Sequence, residues 1–267
     1  MSRKVEGSRR EGGWVKVEKR RRKYRGRGRR NRKKKVFTLF LANVRGFVSK
    51  KTSLEKIVDN LKPTVIALNE TLLYGQNKVE MKSYTSFSMN RTKTKGGGVS
   101  TSIREELRDS VVGAGESQGE DEYLITRLEC YSPPLTIINC YREQEKVGEV
   151  EQEARWGRLR KELETVRARG EFCLLVGDLN KHVGCDDLGV RGNKPLVDRG
   201  GHLVRSLLAT REWYLVNAMG EEVVEGGPFT RQDPATGALS CLQLFIVSKE
   251  LRPYVTNDRL GQEDGGC

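Results

Sequence analysis

Apolar and polar runs alternate along the chain in a way that predicts both strands and helices. Short apolar runs, bounded by polar or Gly-rich turns, recur between Val36 and Ser248 and are typical of buried strands. The predicted strands read VFTLFLAN, TVIALNE, YTSFSMN, GGGVSTSI, EYLITRLEC, LTIINCY, FCLLVGDLN, WYLVN and LSCLQLFIVS, the last paired with FTR upstream.

Three segments have helical spacing instead. The first repeats apolar residues every three or four positions and is ended by Pro63, the second is a charged segment from about 149 to 169, and the third lies near 201–211. The apolar positions of the first two are Leu54, Ile57, Val58 and Leu61, then Trp156, Leu159, Leu163 and Val166. Because helices and strands alternate irregularly, with hairpins between them, we predict a layered α/β domain with mixed sheets.

The positive charge is concentrated in the first 35 residues. They hold 18 Lys and Arg against 3 Glu, whereas the rest of the chain holds 31 basic and 33 acidic residues. We therefore predict a disordered basic tail over residues 1–35 and a near-neutral domain over residues 36–267. The tail suits phosphate neutralisation on nucleic acid or nuclear import; the alternative is a solvated leader with no selected role. The residues predicted to bind nucleic acid are Lys19, Arg20, Arg21, Arg22, Lys23, Arg25, Arg27, Arg29, Arg30, Arg32, Lys33, Lys34 and Lys35.

Composition excludes several classes of protein. No apolar run approaches the roughly 18 residues of a membrane span, and the charged N-terminus lacks the apolar core of a secretory signal. The six cysteines lack CxxC spacing, which favours reduced thiols and a nuclear or cytoplasmic location. The two histidines are too few for a histidine-rich metal site. Nothing in the pattern indicates an oligomeric state.

Polar residues recur at the ends of apolar strands. Asn43 ends VFTLFLAN, Glu70 ends TVIALNE, and Asp178 and Asn180 end FCLLVGDLN. Strand ends of an α/β scaffold project side chains into a common mouth, where ligands bind. Two carboxylates and two carboxamides there would suit Mg²⁺ and a phosphate oxygen, one carboxylate holding the metal and the other polarising a water. Tyr141, ending LTIINCY, would add a phenol donor. The alternative for each residue is a strand that merely meets solvent.

Five segments carry a family resemblance. In chain order, FLANVRG, ALNET, INCY, VGDLNKHVG and SCLQLFIVS resemble successive motifs of the endonuclease/exonuclease/phosphatase superfamily, most of all the endonuclease domain of non-LTR (LINE-like) retrotransposons. The resemblance spans residues 36–248. It implies a four-layer α/β sandwich, two mixed β-sheets face to face with helices outside. It also implies metal-dependent hydrolysis of a phosphate ester, with Mg²⁺ or Mn²⁺ as cofactor if the site is active, and DNA or RNA as partner.

The resemblance also implies a role for each strand-end residue. Glu70 would bind the metal, Asn43 and Asn180 would orient the phosphate and the attacking water, Asp178 would activate or position that water, and Tyr141 would contact the phosphate. His182 follows VGDLN without filling the family's histidine position, and we interpret it as local loop structure.

Gln243 breaks the pattern of SCLQLFIVS. Inside this apolar run it stands where the family has an aspartate that pairs with a histidine from a Ser/Thr-Asp-His motif at the start of the final strand. No histidine follows Gln243. We therefore predict that the Asp–His pair is lost, that the domain is incomplete at its C-terminus, and that the last strand is missing, which would leave an unpaired edge.

Three hypotheses remain open at this point. The chain is an endonuclease-like domain with intact or impaired activity, a non-enzymatic nucleic-acid-binding relic that uses the basic tail, or a small-molecule or lipid phosphatase. The basic tail and the retrotransposon-like motifs count against the third. Loss of one preorganised catalytic group costs on the order of 10²–10³ in rate, so Gln243 favours the second hypothesis over the first.

Overall fold

The structure is a computed structural model that describes residues 12–18, 36–91, 96–116, 122–142, 148–184, 197–216, 224–225, 231–232, 239–240 and 243–260. The strands within these residues are β1 (Gly12–Glu18), β2 (Val36–Asn43), β3 (Val65–Asn69), β4 (Tyr84–Met89), β5 (Val99–Arg104), β6 (Val111–Glu116), β7 (Glu122–Leu128), β8 (Leu135–Tyr141), β9 (Phe172–Asp178), β10 (Trp213–Leu215), β11 (Val224–Glu225), β12 (Arg231–Gln232), β13 (Leu239–Ser240), β14 (Gln243–Ser248) and β15 (Val255–Leu260). The helices are α1 (Phe47–Leu61), α2 (Glu149–Ala168) and α3 (Arg199–Ala209).

Two mixed sheets form the body of the protein. One has the strand order β11-β15-β1-β2-β3-β5-β4 and the other β10-β14-β9-β8-β7-β6, while β12 and β13 form a separate ribbon. Each large sheet contains a central parallel pair, β2 with β3 and β8 with β9, among antiparallel neighbours. The prediction of mixed sheets is confirmed.

Side-chain alternation along the strands produces four layers. In β2, Phe37, Leu39 and Leu41 point to the core between the sheets, whereas Phe40 and Ala42 point outward against α1. The inter-sheet core is completed from both sheets by Val65, Ala67, Ile103, Leu135, Ile137, Leu174, Val176, Phe245 and Val247. On the outer face of the second sheet, α2 and α3 cover another apolar cluster. The predicted four-layer α/β sandwich is therefore confirmed.

The helices follow the predicted pattern. The helix α1 ends at Leu61, and Lys62 takes a left-handed conformation immediately before Pro63. All four apolar residues predicted on one face of α2 are buried. The start of α3 is capped by Asp198, whose side chain accepts a hydrogen bond from the Gly201 N–H at 2.6 Å. Among the described residues, no helix is both long and apolar enough to cross a membrane.

The N-terminal segment differs from the prediction of a wholly disordered tail. Residues 12–18 form β1, which lies between β2 and β15 and is antiparallel to both. The sequence GGWVKVE has only one Lys and one Glu, and its local alternation was hidden by the charge averaged over 35 residues. The rest of the predicted tail, with all thirteen basic residues, lies outside the described residues.

The prediction of a missing last strand is wrong. Strand β15 follows the Gln243 strand, and it is paired with β1 on one side and β11 on the other. The edge expected to be exposed is thus covered, because β1 supplies backbone hydrogen-bond partners to both β2 and β15. Whether the domain is complete at its C-terminus stays a prediction, since residues 261–267 lie outside the described residues.

Two strands differ in extent from their predictions. LSCLQLFIVS is not one described strand: β13 pairs with β12, and β14 begins at Gln243 in the six-stranded sheet. The sequence VVGAGE, which forms β6 at the edge of that sheet, was not predicted because its glycines interrupt the apolar run.

Candidate active site

The candidate site lies where four strands from both sheets end. Asn43 is the last residue of β2 and Glu70 follows β3, while Tyr141 and Asp178 are the last residues of β8 and β9. Because β2 and β3 are parallel, and β8 and β9 are parallel, the carboxyl ends of each pair reach the same edge of their sheet. The carboxyl ends of the two parallel pairs lie next to each other, and the side chains of Asn43, Glu70, Tyr141 and Asp178 meet there.

Asn43 is the centre of the cluster. Its Nδ2 donates to Glu70 Oε1 at 2.6 Å and to Asp178 Oδ2 at 2.7 Å. Ionised carboxylates only accept hydrogen bonds, so the NH₂ end of the Asn43 amide must face them. The same amide accepts through Oδ1 from the Arg45 N–H at 3.3 Å. One uncharged side chain thereby links carboxylates from two different sheets.

Tyr141 joins the cluster as a donor. Its hydroxyl donates to Glu70 Oε1 at 3.1 Å, and the residue is 7% exposed. Burial is the main cause that raises the pKa of Tyr141 far above its usual range, and the negative charge of Glu70 and the hydrogen bond to it add to the effect. Tyr141 therefore keeps its proton at physiological pH and remains available as a hydrogen-bond donor.

Asp178 and Asn180 are fixed in a short turn after β9. Asp178 Oδ1 accepts from the Asn180 N–H at 3.1 Å, and Asn180 Nδ2 donates to the Arg142 carbonyl at 2.6 Å. The Arg142 N–H in turn donates to the Asp178 carbonyl at 2.9 Å. Asn180 has a φ of +48°, which asparagine adopts more readily than most residues. The turn thus places the Asn180 backbone N–H beside the Asp178 carboxylate, while the Asn180 side chain is bonded to the Arg142 carbonyl.

Gly177 is required for close packing rather than for a turn. It lies within β9 with a φ of +146°, and a Cβ atom there would be 1.7 Å from the Cys140 carbonyl oxygen. No side chain fits in that space. Gly177 therefore lets β9 approach β8 directly before Asp178.

Gln243 lies beside the cluster. It is the first residue of β14, directly opposite Asp178 in the antiparallel register, and it is 2% exposed. The position at which the family resemblance expects an aspartate is therefore a neighbour of Asp178, and it carries an uncharged amide.

Two buried asparagines beneath the cluster were not predicted. Asn69 Oδ1 accepts from the Asp178 N–H at 2.8 Å, and its Nδ2 donates to Asn139 Oδ1 at 2.9 Å. Asn139 Nδ2 donates to the Ser100 carbonyl at 2.9 Å. Both asparagines are 0% exposed. The signal that marked Gln243, an amide inside an apolar run, was also present at these two positions.

A partly buried ion pair supports the segment that follows Glu70. Arg91 binds the Glu122 carboxylate through Nε and through Nη2, which lies 3.1 Å from Oε2. Glu122 is opposite Tyr141 in the register of β7 and β8, and its Oε1 accepts from the Gly98 N–H at 3.3 Å. The Gly98 carbonyl accepts from the Thr71 N–H at 3.2 Å. This arrangement joins distant parts of the chain, so local patterns could not predict it.

The remaining predicted residues lie away from the cluster or outside the description. The His182 N–H donates to Asp198 Oδ2 at 2.9 Å, which agrees with its interpretation as local loop structure. The basic residues between 19 and 35 lie outside the described residues. Their flanks, Glu18 and Val36, are paired with each other at the end of β2 opposite to Asn43.

The donor atoms suit a hard divalent cation held by few protein ligands. Within the described residues, no group of three or more His, Cys, Asp or Glu side chains is placed to hold a metal ion. Glu70 and Asp178 nevertheless present carboxylate oxygens on two sides of the same Asn43 nitrogen. Mg²⁺ is commonly bound through one or two carboxylates with water in its other positions, so these residues fit Mg²⁺ or Mn²⁺.

The fold and the strand-end cluster define a four-layer α/β sandwich with a polar site between its two sheets. Residues 40–256 match the endonuclease/exonuclease/phosphatase family, and the chain belongs to that family. Among curated proteins, none matches the sequence significantly.

Solved structures with the same fold include an exonuclease, an AP endonuclease and a catalytic domain. A 3′-5′ exonuclease (NExo) from Neisseria meningitidis has 13% identity and a TM-score of 0.65, with 82% of this chain and 90% of that chain covered. An AP endonuclease (LMAP) from Leishmania major has 15% identity and a TM-score of 0.62, with 82% of this chain and 81% of that chain covered. The APE2 catalytic domain from Xenopus laevis has 16% identity and a TM-score of 0.59, with 81% of this chain and 83% of that chain covered. At such identities the likeness shows the shared fold alone.

Proposed function

We propose that the chain is a phosphodiester hydrolase-like domain of endonuclease type, derived from a non-LTR retrotransposon, whose activity is impaired. The observation that carries the proposal is the bridge from Asn43 to both Glu70 and Asp178, with Tyr141 donating to Glu70. The retrotransposon origin rests on the five motifs that occur in order along residues 36–248. The substrate class is nucleic acid, DNA or RNA.

Each residue of the cluster has a chemical role in this proposal. Glu70 would hold Mg²⁺ or Mn²⁺, which when bound polarises the phosphate. Asp178, which accepts hydrogen bonds from the Asn43 side chain and the Asn180 N–H, would position a water and accept its proton. Asn43 and Asn180 would orient the phosphate and that water. Tyr141, held in its protonated form, would donate to a phosphate oxygen.

Impairment is inferred from position 243. The Gln243 amide lacks the negative charge with which a carboxylate would orient and stabilise a charged histidine. It also offers the metal no charged carboxylate oxygen. The loss of one preorganised group typically lowers the rate by on the order of 10²–10³.

A second candidate function is binding of nucleic acid without cleavage. It is favoured by the thirteen basic residues between 19 and 35. The strand positions that flank them, Glu18 and Val36, lie at the opposite end of β2 from Asn43. Such binding should weaken steeply with salt, and it should be lost when residues 19–35 are replaced by a neutral segment of equal length. The same residues suit nuclear import, and a nuclear or cytoplasmic location belongs to the proposal.

The test is nicking of supercoiled plasmid by the purified full chain. Reactions contain Mg²⁺, Mn²⁺ or EDTA, and Asp178→Asn and Glu70→Gln serve as matched variants that keep the side-chain size. Slow metal-dependent nicking that both variants abolish would support the impaired hydrolase. A folded chain that binds DNA but does not nick it under any condition would overturn hydrolysis and leave the binding function.

A further inference from the structure

Exposed apolar side chains are concentrated around Glu70. In the described part of the chain, six large apolar residues are substantially exposed, and three of them are Val48 at 77%, Leu72 at 48% and Tyr74 at 62%. Leu72 and Tyr74 follow Glu70 directly in the chain. A cluster of exposed apolar groups beside a polar site is typical of a surface that contacts another molecule.

Val48 belongs to the same surface because its segment is bonded to the chain after Glu70. The Gly46 N–H donates to the Glu70 carbonyl at 2.8 Å, and the Phe47 N–H donates to the Thr71 carbonyl at 2.9 Å. A Cβ atom at Gly46 would lie 3.6 Å from Leu72 Cδ1, which shows how closely the start of α1 approaches Leu72. We call Val48, Leu72 and Tyr74 the apolar lip.

Leu72 is exposed in a backbone conformation that leucine rarely adopts. Its φ is +52°, in the left-handed region. The Leu72 N–H donates to the Gly97 carbonyl at 3.0 Å, and the neighbouring Thr71 N–H is bonded to Gly98. Such a conformation persists only where the surroundings impose it, and it is enriched at ligand-binding positions. The fold thus maintains an unfavourable conformation that leaves an apolar side chain in solvent.

Tyr74 is presented on a turn that a neighbouring side chain holds in place. Asn90 Nδ2 donates to the Gly75 carbonyl at 2.9 Å and to the Asn77 carbonyl at 2.7 Å, and the Asn77 N–H donates to the Tyr74 carbonyl at 3.3 Å. Because the backbone of the turn is already ordered, little backbone conformational entropy remains to be lost when the Tyr74 ring contacts a ligand.

We propose that the apolar lip binds a nucleobase of the nucleic acid strand whose phosphate reaches the Glu70–Asp178 cluster, with the Tyr74 ring stacked on the base and Leu72 against its edge. The proposal rests on the proposed nucleic-acid substrate, though not on its hydrolysis. A nucleobase is the flat, largely apolar group that accompanies every phosphodiester of a nucleic acid strand, and Leu72 and Tyr74 follow Glu70 by two and four positions. Base–aromatic stacking contributes about 1–3 kcal/mol per base and tolerates any base, so the lip would add affinity without sequence preference.

The test is binding of a single-stranded oligonucleotide to the full chain in EDTA, so that hydrolysis plays no part. A set of oligonucleotides, each with one 2-aminopurine at a different position, reports both affinity and stacking, and moderate salt suppresses binding by phosphate contacts alone. The variants are Tyr74→Ala, Tyr74→Phe and Leu72→Ala. Leu61→Ala is the matched control, because Leu61 is 43% exposed at the far end of α1 from Val48.

We expect Tyr74→Ala to raise the Kd about 5- to 150-fold, as the loss of one stacked base predicts, and to remove the quenching of 2-aminopurine at one position. Tyr74→Phe keeps the ring, so it should retain both the affinity and the quenching of the parent chain. Leu72→Ala should weaken binding moderately. Leu61→Ala should leave binding unchanged. The proposal is overturned if Tyr74→Ala binds and quenches as the parent chain does, or if Leu61→Ala weakens binding as much as Leu72→Ala.

The experiment separates this proposal from the proposed hydrolase. If base stacking needs Tyr74 but the chain never nicks plasmid, the proposal for the apolar lip is supported and the proposed hydrolysis is overturned. If the chain nicks plasmid and binds equally well without Tyr74, the proposed hydrolysis is supported and the proposal for the apolar lip is overturned.

Discussion

Gln243 faces Asp178 across the antiparallel strands β14 and β9, at the point where Asn43 also reaches Asp178 Oδ2 at 2.7 Å. The cluster therefore contains two carboxylates, those of Glu70 and Asp178, and an uncharged amide beside them. A third carboxylate at position 243 would increase repulsion when no cation is present and would strengthen attraction for a divalent cation. We therefore expect the residue at position 243 to influence both the affinity for a divalent cation and the stability of the metal-free protein.

Gln243→Asp should shift this balance in a measurable way. Without metal, the variant should have a lower Tm than the parent chain, because a second negative charge is buried next to Asp178. Mg²⁺ or Mn²⁺ should raise the Tm of the variant more than that of the parent, because a tighter-binding ligand stabilises the folded state more at equal concentration. Thermal unfolding with EDTA and with each metal checks both effects.

Gln243→Leu is the control for size and burial at this position. It adds no charge, so metal should change its Tm no more than it changes that of the parent chain. Equal metal-induced shifts for Gln243→Asp and Gln243→Leu would show that position 243 is not part of a cation site.

Asn69 and Asn139 should be energetically coupled. Replacing Asn139 by Leu leaves the Asn69 Nδ2 donor without its acceptor in a fully buried place, at a cost of about 1–3 kcal/mol. Asn69→Leu also removes the acceptor for the Asp178 N–H, so we expect it to be at least as destabilising. The double variant should lose less stability than the two single variants added together. Urea denaturation of all four proteins measures the coupling energy, and additivity within about 0.5 kcal/mol would contradict it.

Local patterns were sufficient to find the residues that form the cluster. Asn43, Glu70, Tyr141 and Asp178 each stand at the end of an apolar strand, and the sheet geometry brings such ends together whatever the details of packing. The contacts between the sheets could not be predicted from local patterns. Nothing periodic relates Asn69 to Asn139, which are 70 positions apart, or Arg91 to Glu122, which are 31 apart. Pairing over such distances depends on the packing of the sheets.

Tyr141 should make the stability of the protein depend on alkaline pH. A group whose pKa is raised by folding stabilises fully below its unfolded pKa, here 10.0, and that contribution is lost as the pH rises through its folded pKa. The free energy of unfolding should therefore fall as the pH rises above about 10, and Tyr141→Phe should make the fall less steep. Burial also raises the pKa of Tyr131, so a slope should remain in the variant and decrease further in the double variant Tyr141→Phe/Tyr131→Phe. Urea denaturation at several pH values checks this, and identical slopes in all three proteins would refute it.

Gly177→Ala should be strongly destabilising. The new Cβ atom would overlap the Cys140 carbonyl oxygen, and relief would require β9 to move away from β8 directly before Asp178. We expect a loss of at least about 2 kcal/mol of stability. Gly113→Ala is the matched control within a strand, because nothing lies within 4 Å of a Cβ atom there, and it should change stability by no more than about 0.5 kcal/mol. Similar denaturation midpoints for the two variants would mean that β8 and β9 do not need this close approach.

The pairing of β1 with β2 and β15 makes the N-terminal segment part of the folded domain. Val15 lies within β1, opposite Leu39 of β2 and Asp258 of β15. Proline at this position removes a backbone donor from the interior of a sheet, so Val15→Pro should cost about 1–3 kcal/mol and expose two strand edges to aggregation. Val15→Thr keeps the branched shape and the N–H, and it separates the effect of the backbone from that of the side chain. If Val15→Pro and Val15→Thr unfold at the same urea concentration, β1 does not hold β2 and β15 together.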